Sequence, residues 1–275
     1  MTKSSLETWG RTDRGCVREV NEDNLIIDDD IGLLAVADGM GGHNAGEVAS
    51  SIAVSQIRDL ARRALGGTQD IVPEGPNPNL SRRGRQLEWF VKNANTIIFK
   101  KGREAAKQYG MGTTVVAVLA DGRSLTVAHV GDSRLYLFRK GALTQLTEDH
   151  SLVSDQVRKG LLTADEASRS TLQNILTRAL GTEEDVQVDV ADHPLLEGDV
   201  LLLASDGLTK EVTEEQIRRT IEKNPSPNAF VDRLVDMARD HGGHDNITVV
   251  ACRVPSPGWR QVIEGLKKMV LGRGA

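Results

Sequence analysis

The stretch SLTVAHVGDSRLYLF, residues 124–138, holds two short runs of apolar and β-branched residues separated only by Gly131, Asp132 and Ser133. Runs of this length and composition read as strands. A three-residue connection of Gly, Asp and Ser has the length and chemistry of a hairpin turn, so antiparallel pairing of these two strands is expected. The next stretch, RKGALTQL, supplies a second hairpin. Working outward, similar buried-strand runs cover Leu33 to Ala37, Thr113 to Leu119, Val200 to Ala204 and Ile247 to Cys252.

Between these clusters lie segments of helical period: Ala45 to Leu65, Arg85 to Tyr109, Ser151 to Lys159, Glu214 to Lys223 and Asn228 to Asp240. Thr213, ahead of Glu214, Glu215 and Gln216, offers a capping box. Strands grouped into hairpins with long helices between the groups define an α+β protein, not a repeating βαβ chain. Residues 66–84, rich in Pro, Gly and Asn, read as a surface loop. After Cys252 the VPSPG break is followed by Trp259, Val262, Ile263, Leu266 and Val270 at helical spacing. This sets an amphipathic tail, 255–275, apart from a main domain of 1–254. The tail's basic side fits a partner or an acidic membrane surface, and its apolar side fits docking on its own domain.

Composition narrows the function classes. The chain has 275 residues, 39% hydrophobic and 27% charged, as expected for a folded globular protein. A net charge of -5 provides no basic field to gather nucleic acid. The start MTKSSLETWG lacks a signal-like apolar run, and no stretch approaches membrane-spanning length, so a cytoplasmic protein is expected. Two cysteines, Cys16 and Cys252, leave no cysteine-based zinc site. Cys16 reads as a small filler residue.

The aspartates carry the chemistry. Asp38 and Asp206 each end an apolar run and precede a glycine, while Asp245 lies just before ITVVAC. In an antiparallel pair the end of one strand sits beside the start of its neighbour, so Asp206 and Asp245 are expected to meet. Asp132 occupies the GDS turn and Asp23 precedes the run LII. Taken singly, each is an ordinary turn or cap residue; their shared placement instead gathers five carboxylates at one sheet edge. Like charges about 4 Å apart repel by roughly 4 kcal/mol at an effective dielectric of about 20, so such a group needs protons or cations. An all-oxygen set selects hard ions such as magnesium or manganese. The glycines of GMGGH let backbone approach an ion or substrate closely but match no nucleotide-binding pattern.

RTDRGCVREVNED, VADGMGGHNAGEVAS, GMGTTVVAV, HVGDSRLYLF, LLLASDGL and GGHDNITVV, in this order from Arg11 to Val250, resemble the motifs of the bacterial type 2C protein phosphatases. The resemblance implies a four-layer α-β-β-α sandwich of two antiparallel sheets flanked by helices. It also implies a metal-dependent serine/threonine protein phosphatase with two or three Mn2+ or Mg2+ ions. Carried over, Asp38 bridges two ions, the Gly39 carbonyl ligates one, Asp206 and Asp245 complete the other, and Asp132 with Asp206 holds a third. Glu22 and Asp23 hold ion-bound waters from behind, and Arg18 grips the substrate phosphate. Met40 stands where many eukaryotic members have histidine, leaving His43 either to protonate the leaving group or to orient substrate or water. His129 reads as a core residue and His244 as a turn residue. Residues 148–181 resemble the family's flap, with Ser170, Thr171 and Leu172 where relatives often carry a His-Pro pair.

Phosphoprotein substrates follow from the resemblance, with a serine/threonine kinase and its targets as candidate partners, and a monomer is expected. The alternatives are a catalytically inactive, phosphoprotein-binding relative and a hydrolase of small phosphate esters. Fold alone does not decide between these.

Overall fold

The computed structural model describes residues 6–42, 45–65, 75–104, 110–167 and 170–255. The C-terminal tail beyond Pro255 and His43 lie outside the described residues.

Eleven strands among the described residues form two sheets in which every pairing is antiparallel. The first contains β1 (Glu7–Asp13), β11 (Ile247–Arg253), β10 (Val200–Ala204), β7 (Arg134–Arg139) and β8 (Ala142–Gln145), in that order. The second runs β2 (Asp23–Asp28), β3 (Leu33–Met40), β5 (Val115–Ala120), β6 (Ser124–Val130) and β9 (Asp189–Pro194), with β4 (Gly112–Thr113) paired to the end of β3. Helices α1 (Ala45–Leu65) and α2 (Arg82–Glu104) cover the second sheet. Helices α6 (Glu214–Lys223) and α7 (Pro227–Asp240) cover the first. The short α3 (Leu152–Arg158), α4 (Ala164–Ala167) and α5 (Asp206–Thr209) occur in the connections.

The strand runs are continuously apolar because both faces of each sheet are covered. In β3, Leu33, Ala35 and Ala37 face α1 and α2, whereas Leu34 and Val36 face the other sheet. In β10, Val200, Leu202 and Ala204 face α6 and α7, and Leu201 and Leu203 point inward. Three apolar layers therefore separate four layers of secondary structure. Thr213 and Gln216 form the expected capping box at the start of α6.

Several expectations need correction. The runs on either side of GDS do not pair: β6 bonds to β5 and β9, and β7 to β10 and β8, so the GDS turn carries the chain from one sheet to the other. A three-residue connection suits a hairpin and a sheet-to-sheet corner equally; what decides here is that β6 and β7 are each flanked by other strands. The second hairpin, β7 to β8, forms as expected. Helix α2 starts at Arg82, within the stretch read as loop. The run from Thr113 breaks at Thr114, between β4 and β5. Strands β1 and β9 escaped notice because ETWGRTD and DVADHP are polar edge strands without an apolar run. No described helix is long and apolar enough to cross a membrane.

Candidate metal centre

Register brings the acidic residues together, not at the single sheet edge expected but where one end of each sheet meets the other, two acids from the second sheet and three from the first. Asp38 near the end of β3 lies opposite Asp23 at the start of β2. Strand β10 pairs with β11 on one side and β7 on the other, Ala204 facing Val249 and Arg134. Asp206 after β10, Asp245 before β11 and Asp132 before β7 therefore share one end of the first sheet, as the strand-edge reading required. Two side-chain bonds join the sheets there: Ser205 Oγ donates to Asp23 Oδ2 at 2.8 Å, and the Thr114 and Ser133 hydroxyls lie 2.7 Å apart. Thr248 N–H donates to Ser205 Oγ, so Ser205 also binds β10 to β11.

The loop bearing Arg18 and Glu22 is held by Asn246, a residue the sequence reading passed over. Its Oδ1 accepts from Glu22 N–H at 2.8 Å, and its Nδ2 donates to the carbonyls of Arg14 and Val20 at 2.9 and 3.0 Å. The available signal was a buried-capable amide directly after Asp245 and before a strand. Gly39 is required by crowding: a Cβ there would lie 2.3 Å from the Gly46 carbonyl and 2.5 Å from that of Glu22.

Burial, then neighbouring acids, push the Asp132 carboxyl up to about 7. Asp23 also rises to about 7, through burial first and the charges of Asp206 and Asp245 after, against hydrogen bonds from Thr248 and Ser205. Asp38 stands well above the usual carboxylate range for the same reasons, with Asp23, Asp206, Asp132 and Asp245 all acting on it. Burial likewise raises Glu22. Two carboxylate oxygens, Asp23 Oδ1 and Asp206 Oδ1, are buried without a hydrogen-bond partner. Buried polar atoms are nearly always satisfied, so a cluster of mutually repelling carboxyls with orphaned oxygens fits hard divalent cations.

Among the described residues, the cations lining the cleft are Arg18 and Lys210. Arg18 engages both oxygens of Asp245, Nε at 2.9 Å and Nη2 at 3.0 Å. Its expected task, gripping phosphate, therefore competes with a carboxylate of the cluster. Lys210, which the sequence reading did not single out, pairs with Asp206 Oδ2 one helical turn away. Glu22, Asp38, Asp132, Asp206 and Asp245 line a cleft of about 220 Å³ with Gly39, Arg18 and Lys210, and a groove of about 600 Å³ adjoins it between α3 and the strand ends. Asn174 and Leu176 from the flap stretch line the cleft.

His129 is buried, its Nε2 3.0 Å from the Glu148 carbonyl, but its Nδ1 has no partner, so it is only half satisfied. His244 is an exposed turn residue whose Nδ1 lies 2.6 Å from Glu211 Oε1. Cys16 is exposed, contrary to the filler reading, and Cys252 is buried with its thiol pushed up to about 12 by burial. Both are free thiols.

A sandwich of two antiparallel sheets with converging acids at one end defines a metal-dependent phosphatase fold, and the chain belongs to the protein phosphatase 2C family, matching it over residues 12–247. Serine/threonine phosphatase stp of Listeria monocytogenes is 38% identical over 245 residues, which span 87% of this chain and 92% of that protein. The crystal structure of the Mycobacterium tuberculosis serine/threonine phosphatase PstP superposes with a TM-score of 0.80 at 35% identity, covering 91% of this chain and 99% of that one. A PstP catalytic-domain structure in complex with two manganese ions gives a TM-score of 0.78, also at 35% identity.

Proposed function

We propose that this chain is a protein serine/threonine phosphatase that removes phosphate from phosphoserine and phosphothreonine with the help of Mn2+ or Mg2+. The observation that carries the reading is the convergence of Asp38, Asp132, Asp206 and Asp245 in one cleft, with Asp206 Oδ1 buried and unpartnered. Asp38, the Gly39 carbonyl, Asp206 and Asp245 would hold two ions, and Asp132 with Asp206 a third. Glu22 and Asp23 would orient bound water from behind. Divalent ions in such a site supply a water nucleophile reactive near neutral pH and offset the charge of the phosphoryl oxygens.

The chain's own contributions are positional. Arg18 stands at the cleft and would turn its planar fork from Asp245 to the phosphate oxygens as substrate enters. The Ser205 and Thr114–Ser133 bonds keep the two sheet ends, and thus the acids, in fixed relation. No protein nucleophile is needed, consistent with Cys252 lying in the layer between the sheets. Proteins phosphorylated by a serine/threonine kinase are the substrates this chemistry suits.

The test is phosphate release from a phosphothreonine peptide with manganese, with magnesium and with a chelator. Release that depends on the ion is expected; no release with either ion overturns the proposal. Binding of the phosphopeptide without turnover would favour the inactive relative instead.

A further inference from the structure

His150 sits outside the acid cleft and is 2% exposed. Its ring Nδ1 accepts the Gly131 N–H at 3.1 Å, and its backbone N–H donates to the Gly131 carbonyl at 3.0 Å. One residue thus bonds both polar groups of the glycine that precedes Asp132. That glycine has φ +105, and a Cβ on it would lie 2.5 Å from the Thr114 side chain, so only glycine fits and its backbone must be held from outside. Because Nδ1 accepts, Nε2 carries the proton and donates to Asp189 Oδ2 at 3.1 Å. Arg178 then bonds both oxygens of Asp189, at 2.8 and 3.3 Å. The His150 carbonyl accepts from Thr177 N–H at 2.8 Å, closing the base of the flap stretch onto the same residue.

His129, His150 and Asp189 also have donor atoms within 4.8 Å of one another, the donor set of a transition-metal site. The geometry opposes that use. The two rings stack with centroids 4.8 Å apart and planes only 22° from parallel, so their in-plane lone pairs do not converge. Both His150 nitrogens are engaged, and the Arg178 guanidinium already neutralises Asp189. The arrangement is a clamp on Gly131.

We propose that His150 is a positioning residue for Asp132: by fixing both backbone groups of Gly131 it aims the Asp132 carboxyl at Asp206 and so sets the affinity of the ion these two share. Asp189 and Arg178 hold the ring in the orientation the clamp needs and tie that ion to the flap base. The inference rests on the reading of Asp132 and Asp206 as ligands of one ion.

The experiment is a manganese titration of the full chain by calorimetry, resolving the weakest ion from the tighter ones, with thermal unfolding in parallel. His150→Asn places an amide oxygen near the Nδ1 position and keeps an acceptor for Gly131; His150→Gln places its amide near Nε2 and loses that acceptor. His150→Gln is expected to weaken the last ion about 10- to 100-fold while sparing the tighter ions, the usual effect of losing an outer-shell support. His150→Asn keeps the acceptor for Gly131 but loses the donor to Asp189, so it should weaken the last ion clearly less than His150→Gln does, by about tenfold or less. A merely structural role would instead weaken all ions alike and lower both variants' unfolding temperature. If both variants leave the last ion unchanged, or weaken it equally, while Asp132→Asn abolishes it, the clamp is refuted and the ligand reading survives. If Asp132→Asn keeps the last ion, the ligand reading fails and the proposal with it. Should His150→Gln not fold, Asp189→Asn reads the same quantity: a roughly tenfold weaker last ion is expected, and no change overturns the proposal.

Discussion

Asp206 is the residue on which most of the site turns. It neighbours Asp132 and Asp38, pairs with Lys210, and keeps one oxygen buried without a partner. Asp206→Asn removes the one negative charge this side chain would offer to two ions and should lower kcat about a hundredfold or more, as removal of a single preorganised charge-stabilising group commonly does; a steady-state phosphopeptide assay with retained activity would refute the assignment. Lys210 acts in the opposite sense. Its ammonium competes with cations for Asp206, and a partly exposed pair of this kind is worth about 0.2–1 kcal/mol. Lys210→Met should therefore tighten manganese binding by roughly 1.4- to fivefold, the same energy expressed as affinity, measured by titration; weaker binding would show that Lys210 supports the site instead. The aspartates were legible in the sequence because each stands at the start or end of an apolar strand run. Asn246 and His150 were not, since their roles depend on which backbone they meet after folding; Lys210 was not, since its pairing needs the short helix after β10 to set it one turn from Asp206; and Arg18 showed its charge but not its bidentate partner Asp245.

At the scale of elements, the strand ends are what hold the acids in place. Ser205 links β10, β11 and β2 through one hydroxyl. Ser205→Ala leaves the buried Asp23 Oδ2 and the Thr248 N–H without that partner, and should cost about 1–3 kcal/mol of stability, the usual penalty for orphaned buried polar groups. Denaturant unfolding at a fixed ion concentration checks this, and a change within error would show that water replaces the hydroxyl. Gly39→Ala should cost about 1–3 kcal/mol by overpacking against the Gly46 and Glu22 carbonyls. Strand identity was legible wherever a run was buried on both faces, as in β3, β5, β6, β10 and β11. Strand partnership was legible for the β7–β8 hairpin but not at the corner after β6, which has the same length and residues as a hairpin; the distinction lies in the long-range neighbours β9 and β10. Polar edge strands β1 and β9 gave no periodic signal because each is only partly buried.

For the whole molecule, the raised acids couple stability to pH and to ions. Asp23 and Asp132, ordinarily near 3.8, are pushed up to about 7 by burial and by neighbouring acids. A folded-state value above the unfolded one means that the folded protein keeps protons the unfolded chain has shed. Stability without divalent ions is therefore greatest below the unfolded value and falls as pH rises through that window toward 7. Cations replace those protons, so the gain in unfolding temperature on adding manganese should be larger at pH 8 than at pH 6, because binding to the folded state alone stabilises it. An equal gain at both values would argue that the ions do not bind where these carboxyls lie. The family resemblance made the four-layer architecture legible from motif order, whereas composition and periodicity alone reached only the α+β class.

The most direct measurement is anomalous X-ray diffraction from crystals grown with manganese. The expected map carries strong manganese peaks within coordination distance of Asp38, Asp206 and Asp245, and a weaker one between Asp132 and Asp206. A map with no peak among these carboxylates at saturating manganese would contradict the placement of the catalytic centre.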